Sequence, residues 1–512
     1  FTNIIYGRIN AYVTSNIIYD IKTLLFKSMQ KLSINFYLNK QTGNLMTRVS
    51  GDTDNIQEFF HDGIPELFTN VVIIIIVVIT MFIQNTLLTI ISLSTTPILL
   101  IVSLKIFPII KKKYTSMYIS RSLLNSLVND VLMGFRVVKA FGKEKEEIGR
   151  FSKSSSYVKK LEYNLAKFTN LIFQSMNILM ISSSIIIWGF GGWQVINGQM
   201  EFGMLITFTG YVALINRPLI YMVQTTNWWS NAMNSAGRIF EILDSLPDVI
   251  EKKNPIVKRK FDGLIEFKNI NFSYEANKNI LHNINMIIEP GEVIGIVGRS
   301  GAGKSTIANL LMRMYDTTKG EIRIDGVNIK NYAFKCLNKN IGMVMQDVYL
   351  FTGSIYENIA YAKPSSSMEE IINAAKAAFA HDFILKLPYG YDTVIGKNAQ
   401  SLSGGEKQRL SIARTILHNP KILILDEATS SVDTKTEKQI QKAIDILVSG
   451  RTVISIAHRL STLNNADRIF VIEKGRIIEF GTHRELMGIK GEFYEMYIKQ
   501  KKALELGGVI YT

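Results

Sequence analysis

Charged and uncharged stretches divide this chain before any motif does. From Leu67 to Leu104 there is no Asp, Glu, Lys or Arg. A helix crosses the hydrocarbon core of a bilayer with about 20 apolar residues, so this run is too long for one span and suits two. Gln84-Asn85 is the natural turn, which gives spans near 67–83 and 86–104. A second uncharged stretch from Phe168 to Met200 predicts a span near 168–193, closed by Asn197-Gly198-Gln199. A fourth runs over 202–229, interrupted by Arg217-Pro218, and the apolar residues of 1–20 read as the tail of another. Between the spans, Leu24, Leu25, Met29 and Leu32, and again Leu123, Leu127 and Val131, recur at helical spacing. The spanning helices therefore continue into long extensions, which are expected to reverse near Ser50–Asp54 and Asp130–Gly134.

Beyond residue 263 the pattern changes. Short apolar runs bounded by turn residues alternate with helical periods, the mark of an α/β domain. Ile265–Phe267 and Ile270–Tyr274 read as paired strands. Between the two halves, residues 241–262 form a linker that ends in Lys258-Arg259-Lys260.

Composition adds orientation. The 512 residues are 47% hydrophobic and 20% charged with a net charge of +15, a balance that suits either a nucleic-acid binder or a membrane protein. Placement decides for the membrane. The connections at 84–85 and 194–201 lack Lys and Arg, whereas Lys105, Lys111, Lys112, Lys113 and Arg121 follow the second span. The positive-inside rule puts 21–66 and 105–167 in the cytoplasm, and no nucleic-acid partner is implied. The lone Cys336 excludes an intrachain disulfide. A start at Phe1 reads as a missing N-terminal portion, and the abundance of Ile, Asn and Lys suggests a low-GC bacterial source.

The chemistry sits in the second half. Val293–Val297, then Gly298-Arg299-Ser300-Gly301-Ala302-Gly303-Lys304-Ser305, then a helical pattern from Thr306 is a strand, a glycine loop and a helix in the order a phosphate-binding loop requires. Glycines let successive N–H groups turn toward one anion. Lys304 can reach β- and γ-phosphates and Ser305 can ligate Mg²⁺. Ile422–Leu425 is a buried parallel strand that delivers Asp426, suited to hold Mg²⁺ through water, and Glu427, suited to deprotonate the attacking water. Ser403 is a candidate N-cap with Glu406 three residues on, and Gly404 and Gly405 leave a second set of N–H groups open. One nucleotide needs only one such nest, so the surplus suggests that another copy's γ-phosphate is its ligand. Tyr274 is a candidate to stack on adenine, and His458 to touch a γ-phosphate; each could equally be an ordinary structural residue.

In this order, Tyr274, Gly298–Ser305, Gln346, Leu402–Glu406, Asp426-Glu427, Asp433 and His458 resemble the nucleotide-binding domain of an ABC transporter over 263–500. Residues 1–240 resemble the membrane domain of the exporter type, with Gly43–Val49 and Asp52 matching one coupling region (near 48–54) and Asp130 with Gly134–Phe141 and Glu144 the other (near 130–136). The resemblance implies an all-α transmembrane domain with long cytoplasmic helix extensions, followed by an α/β P-loop NTPase domain of ABC type and a short tail over 501–512. It implies six spans, of which the first and the start of the second are missing here. By the same resemblance ATP and Mg²⁺ are the cofactors. Gly298, Ser300, Gly301, Gly303, Lys304, Ser305 and Thr306 bind ATP, and Ser305, Gln346 and Asp426 surround the metal. Lys304, Gln346, Glu427 and His458 serve hydrolysis. Ser403, Gly404, Gly405 and Glu406 act in trans, and Asp433 lies in the loop at the interface. Lys397 stands where such exporters usually carry glutamate in a segment that touches the coupling helices.

The implied protein is an ATP-driven exporter in a bacterial inner or plasma membrane, its nucleotide domain cytoplasmic, working as a homodimer or heterodimer of half-transporters. An ATP-gated channel is the alternative. Cargo is not legible. Arg217, deep in an otherwise uncharged span, is a candidate for the translocation cavity, and a structural pairing with Gln174 or Asn177 is its rival reading.

Overall fold

The structure is a computed structural model. It describes residues 1–38, 40, 42–275, 278–396, 402–426, 434–456 and 466–507, with backbone alone at 3, 42, 99–100, 103–104, 107, 217, 219–220, 222–228, 434–435 and 503–507. The chain separates into two units, Phe1–Gln30 with Thr42–Ser245, and Lys31–Gln41 with Leu246–Thr512.

The first unit is helical throughout. After Thr2–Lys31 comes one helix over Gly43–Gln84, then Thr86–Leu93, Thr95–Met133, the short Phe135–Phe141, a helix over Glu144–Ile196, and Phe202–Leu243. At about 1.5 Å per residue, the 53 residues of Glu144–Ile196 reach about 80 Å, more than twice a hydrocarbon core. The long extensions expected from the sequence are therefore present. Gly43–Gln84 and Glu144–Ile196 are long and apolar enough to cross a membrane, and Thr86–Ile98 and Phe202–Asn216 are shorter apolar stretches. The first connection is as tight as expected. Asn85 alone leaves the helical conformation, and its side chain accepts a hydrogen bond from Leu88 N to cap the next helix. Val77, Met81, Leu88, Ile187, Leu205 and Phe208 form a core close to the two short connections. Gly191 fits the helices together there, since a Cβ would lie 2.7 Å from Leu205 Cδ1. Arg217 lies on the helix Phe202–Leu243, and its side chain is outside the described residues.

One reversal is misplaced by the sequence. The chain does not turn at Ser50–Asp54. It stays helical from Gly43 through these residues, and the break lies between Lys31 and Gly43, around the short helix Ile34–Leu38. Ser50-Gly51-Asp52 looks like a turn, but the helix absorbs it as a π-helical segment, Arg48–Asp52. The hydroxyl of Thr53 donates to the carbonyls of Val49 and Ser50, both at 2.7 Å, so the widened turn keeps its polar groups satisfied. The second reversal falls where expected, with the helix ending at Met133 before Gly134.

In the second unit, β1 (Ile265–Glu275) pairs antiparallel with β2 (Lys278–Ile288) and with β4 (Lys319–Ile324), and β5 (Val327–Asn328) completes a four-stranded sheet in the order β2-β1-β4-β5. The two strands expected over 265–274 are one strand. Asn269 adopts a positive φ, 51°, at a bulge, and the residues on both sides of it go on pairing with the same two strands, β2 and β4, so the chain does not fold back there. A six-stranded sheet runs β12-β11-β3-β10-β9-β6, from β3 (Val293–Val297), β6 (Ile341–Val344), β9 (Ile422–Asp426), β10 (Thr452–Ile456), β11 (Arg468–Glu473) and β12 (Arg476–Gly481). Only the β11–β12 pair is antiparallel. β7 (Gly353–Ser354) and β8 (Val394–Ile395) form a small ribbon beside a helical region that has its own core around Ile359, Ala375, Ile384, Leu410 and Ile440.

Candidate functional site

The parallel strands set the site. Ile456 on β10 is level with Ile296 on β3 and with Asp426 on β9, while Val344 on β6 is level with Leu425. The chain leaves β3 into Gly298, β9 ends at Asp426, and Gln346 follows β6 by two residues. Three sequence-predicted residues thus share the carboxyl edge of one sheet. With neighbouring strands about 4.8 Å apart, Asp426 stands roughly 10 Å across the sheet from the strand that feeds the loop.

The phosphate loop is folded by its own residues. Gly298, Gly301 and Gly303 have φ of 155°, 78° and 105°. A Cβ on Gly298 would lie 2.2 Å from Ile472 O, and one on Gly303 2.7 Å from Leu281 Cδ2, so the loop is pressed against its surroundings and only glycine fits. Lys304 is buried and donates from Nζ to Gly298 O at 2.7 Å and Arg299 O at 3.0 Å, which curls the ammonium over the loop. The helix Lys304–Leu311 starts at Gly303 without any side-chain cap. Four other helices of this unit begin with a full capping box, at Ser354, Ser367, Ser403 and Thr482. Where those satisfy their first N–H groups with side chains, this helix leaves its own and its positive dipole end open to an anion. Tyr274 donates its hydroxyl to Thr306 Oγ1 at 3.2 Å and packs edge-on against Phe272 and Tyr315, which brings the candidate adenine platform onto the loop's own helix.

Ser403 caps the helix Gly404–His418: Glu406 N donates to Ser403 Oγ at 3.4 Å, and Ser403 N donates to Glu406 Oε2 at 2.8 Å. Ser403 and Gly404 are exposed, and nothing lies within 4 Å of where a Gly404 Cβ would sit. Among the described residues, no neighbour requires glycine there. Arg414, on the same helix, donates to Asn358 O at 2.9 Å and to Asn358 Oδ1, which braces the helix against Ile355–Ala360. Glu427, Asp433, His458 and Lys397 lie outside the described residues.

Two features of the loop's setting escaped the sequence reading. Gly475, in the turn between β11 and β12, donates its N–H to Ala302 O at 3.2 Å, and its own Cβ would lie 2.0 Å from Ile280 O. The glycine of Lys474-Gly475 was the available signal, although it marks many hairpins. Arg299 donates to Glu492 Oε1 at 3.1 and 2.8 Å, a pairing between residues far apart in sequence that no local pattern announces.

Comparison with known proteins follows the same division. A family model described as the ABC transporter transmembrane region matches residues 1–219, and one described as ABC transporter matches residues 281–430. The chain is 36% identical over 490 residues to the putative multidrug export ATP-binding/permease protein YgaD of Bacillus subtilis, covering 96% of this chain and 84% of that protein. It is 37% identical over 497 residues to an ATP-dependent lipid A-core flippase of Syntrophus aciditrophicus, covering 97% and 82%. A solved structure of a bacterial Atm1-family ABC exporter with ATP bound superposes with a TM-score of 0.85 at 30% identity, covering 97% of this chain and 86% of that one.

Proposed function

The chain belongs to the ABC transporter family, as a half-size exporter whose membrane and ATPase parts are fused, and we propose that two half-transporters bind two ATP molecules head to tail between their nucleotide units. ATP hydrolysis coupled to transport is the activity of this family. In the proposed cycle Lys304 leaves its carbonyl partners to hold the β- and γ-phosphates, and the N–H groups at the start of the helix Lys304–Leu311 close around them. Ser305, Asp426 and Gln346 are the residues that would hold Mg²⁺, which neutralises phosphate charge when bound. Glu427 orients and deprotonates the attacking water, and His458 steadies the γ-phosphate. Ser403, Gly404 and Gly405 of one chain cover the γ-phosphate bound by the other, with Asp433 at the interface between them. Closure of the paired units then switches the membrane helices between inward and outward access.

The loop of positive-φ glycines, Gly298, Gly301 and Gly303, that leads from β3 into the uncapped start of Lys304–Leu311 is the observation that carries the nucleotide site. The exposed and sterically unrequired Gly404 supports a ligand from outside the chain. Multidrug export and lipid A-core flipping, the activities named for two relatives, share amphipathic cargo, and an amphipathic molecule is the cargo class proposed here. A bacterial plasma membrane with the nucleotide unit in the cytoplasm is the proposed setting. ATP-dependent accumulation of a fluorescent amphiphile in sealed inside-out vesicles tests the reading. Accumulation that needs ATP and intact Lys304 is expected, whereas ATP-gated dissipation of a preformed gradient would identify a channel.

A further inference from the structure

The membrane unit contains a buried ionic cluster that the ATP site does not use. Asp52 is 1% exposed, far from its ordinary aqueous setting. Its carboxylate accepts from Arg238 Nε at 2.9 Å and also from Arg238 Nη2, from Ser235 Oγ at 3.0 Å, and from Arg48 Nη1 at 3.1 Å. Arg238 Nη2 donates to Ser235 Oγ as well, at 3.0 Å, and Asn55 Nδ2 reaches the same oxygen at 3.0 Å. About two helical turns from Asp52, Phe59 meets Trp229 edge-on with ring centroids 5.3 Å apart. These residues join the helix Gly43–Gln84 to the end of Phe202–Leu243, the last helix before the nucleotide unit.

The chemistry of this seam is unlike that of ordinary helix packing. A buried carboxylate must be fully paired to be tolerated, and here three donor side chains converge on it in a two-pronged arginine geometry that fixes direction as well as distance. The seam also begins at the π-helical segment Arg48–Asp52, whose first and last residues are an i,i+4 ion pair. An ion pair around a buried carboxylate is weak evidence for stability, and its best-attested use is to fix a register. Apolar residues would hold these helices together equally well and would let them slide.

We infer that Asp52 and Arg238 form a fixed joint that stays closed throughout the cycle and converts movement of the final helix, which leads into the ATPase, into movement of the helix Gly43–Gln84. Both are positioning residues for ATP turnover and belong to the membrane unit. The inference rests on the ATP-driven reading above. That reading stands or falls with turnover by the unmodified chain, and the joint stands or falls with the variants.

The test uses the full chain reconstituted in vesicles of phosphatidylethanolamine and phosphatidylglycerol, with Cys336→Ser as background. Asp52→Asn should lower kcat for ATP by about fivefold or more, the low end for coupled sites, with KM for ATP unchanged. Bridging Asn55→Cys to Ser235→Cys with a short bifunctional thiol reagent should leave kcat within about twofold of the unbridged protein, since a closed joint loses nothing by being tied. The same bridge in the Asp52→Asn protein should restore kcat, which a general loss of stability would not allow. Wild-type kcat in both Asp52→Asn and Arg238→Ala, or inhibition by the bridge that reducing agent reverses, would overturn the joint. So would a loss in Asp52→Asn that the bridge leaves unrepaired. Where Asp52→Asn fails to fold, the bridge in the Asp52 protein decides alone.

Discussion

The two units meet opposite solvents with similar residues. In the nucleotide-binding unit Ile294, Ile424 and Ile454 are completely buried in the central strands. In the membrane unit Ile75, Ile79 and Ile83 are 53, 53 and 80% exposed on one helix. In water such a surface would be a defect, whereas in a bilayer it is the face presented to lipid. Polar groups reverse in the same way. The nucleotide unit displays its chemistry at an exposed sheet edge and at uncapped N–H groups, while the membrane unit draws Asp52 inside and surrounds it.

Substitutions can press on this contrast, beginning with the chemistry. Glu427→Gln is expected to lower ATP turnover by about 10²–10⁴-fold, the worth of a general base, while nucleotide binding persists. Phosphate release and bound nucleotide measured on one sample check both halves, and near-normal turnover would remove Glu427 from the base role. Gly404→Asp places a carboxylate where no neighbour of its own chain objects, so folding should be normal and turnover should fall by about 10²-fold or more. Mixing it with a Lys304→Ala chain should restore one composite site, and an unimpaired Gly404→Asp protein would end the two-chain arrangement. For packing, Ile424→Ala should cost about 2–5 kcal/mol because it opens a cavity in a closed core. Ile75→Ala should stay within about 0.5 kcal/mol, since a lipid-facing residue has little packing to lose. Calorimetry of the full chain in detergent, following the nucleotide-unit transition for the first and helix content for the second, would reveal equal costs if the contrast were false.

A cost between those two is expected at a buried carboxylate and depends on pH. Burial would raise the Asp325 carboxyl, but hydrogen bonds from Lys258 Nζ and from the N–H groups of Asp262, Gly263 and Leu264 more than offset it and hold it below the usual carboxylate range. A depressed carboxylate contributes stability that is present above its unfolded value, about 3.9, and is lost as pH falls through the folded one. Asp325→Asn should therefore unfold about 1–2 kcal/mol more easily at pH 7. The gap should close as pH drops below about 4, and a gap that widened there would reverse the assignment.

How much of this was legible depended on which constraint dominated locally. The bilayer forbids charge over a fixed length, so the spans were visible as uncharged runs, and the tight link at Asn85 was visible as the Gln84-Asn85 pair near the middle of the longest one. Phosphate binding demands glycine at fixed steps between a strand and a helix, so Gly298–Ser305 announced itself. The reversal before Gly43 was not visible, because Gly51 and Asp52 carry the local signature of a turn and are held helical by partners distant in sequence, Ser235 and Arg238. Nor could spacing alone distinguish the bulge at Asn269 from a hairpin, since the choice rests on which strands the residues either side of it pair with.

The link at Asn85 constrains how the protein is made. With one residue between Gln84 and Thr86 outside the helices, neither neighbouring helix can enter the bilayer first and wait while a loop is threaded after it. The two must go in together as a hairpin, with Asn85 satisfying Leu88 N by its own side chain as the pair crosses. Biogenesis is then the step at which a charge placed near this turn would be felt, before any question of folding or transport arises. Of the two short connections, the longer one near Gly198 is the place where a tag or an added sequence could be carried.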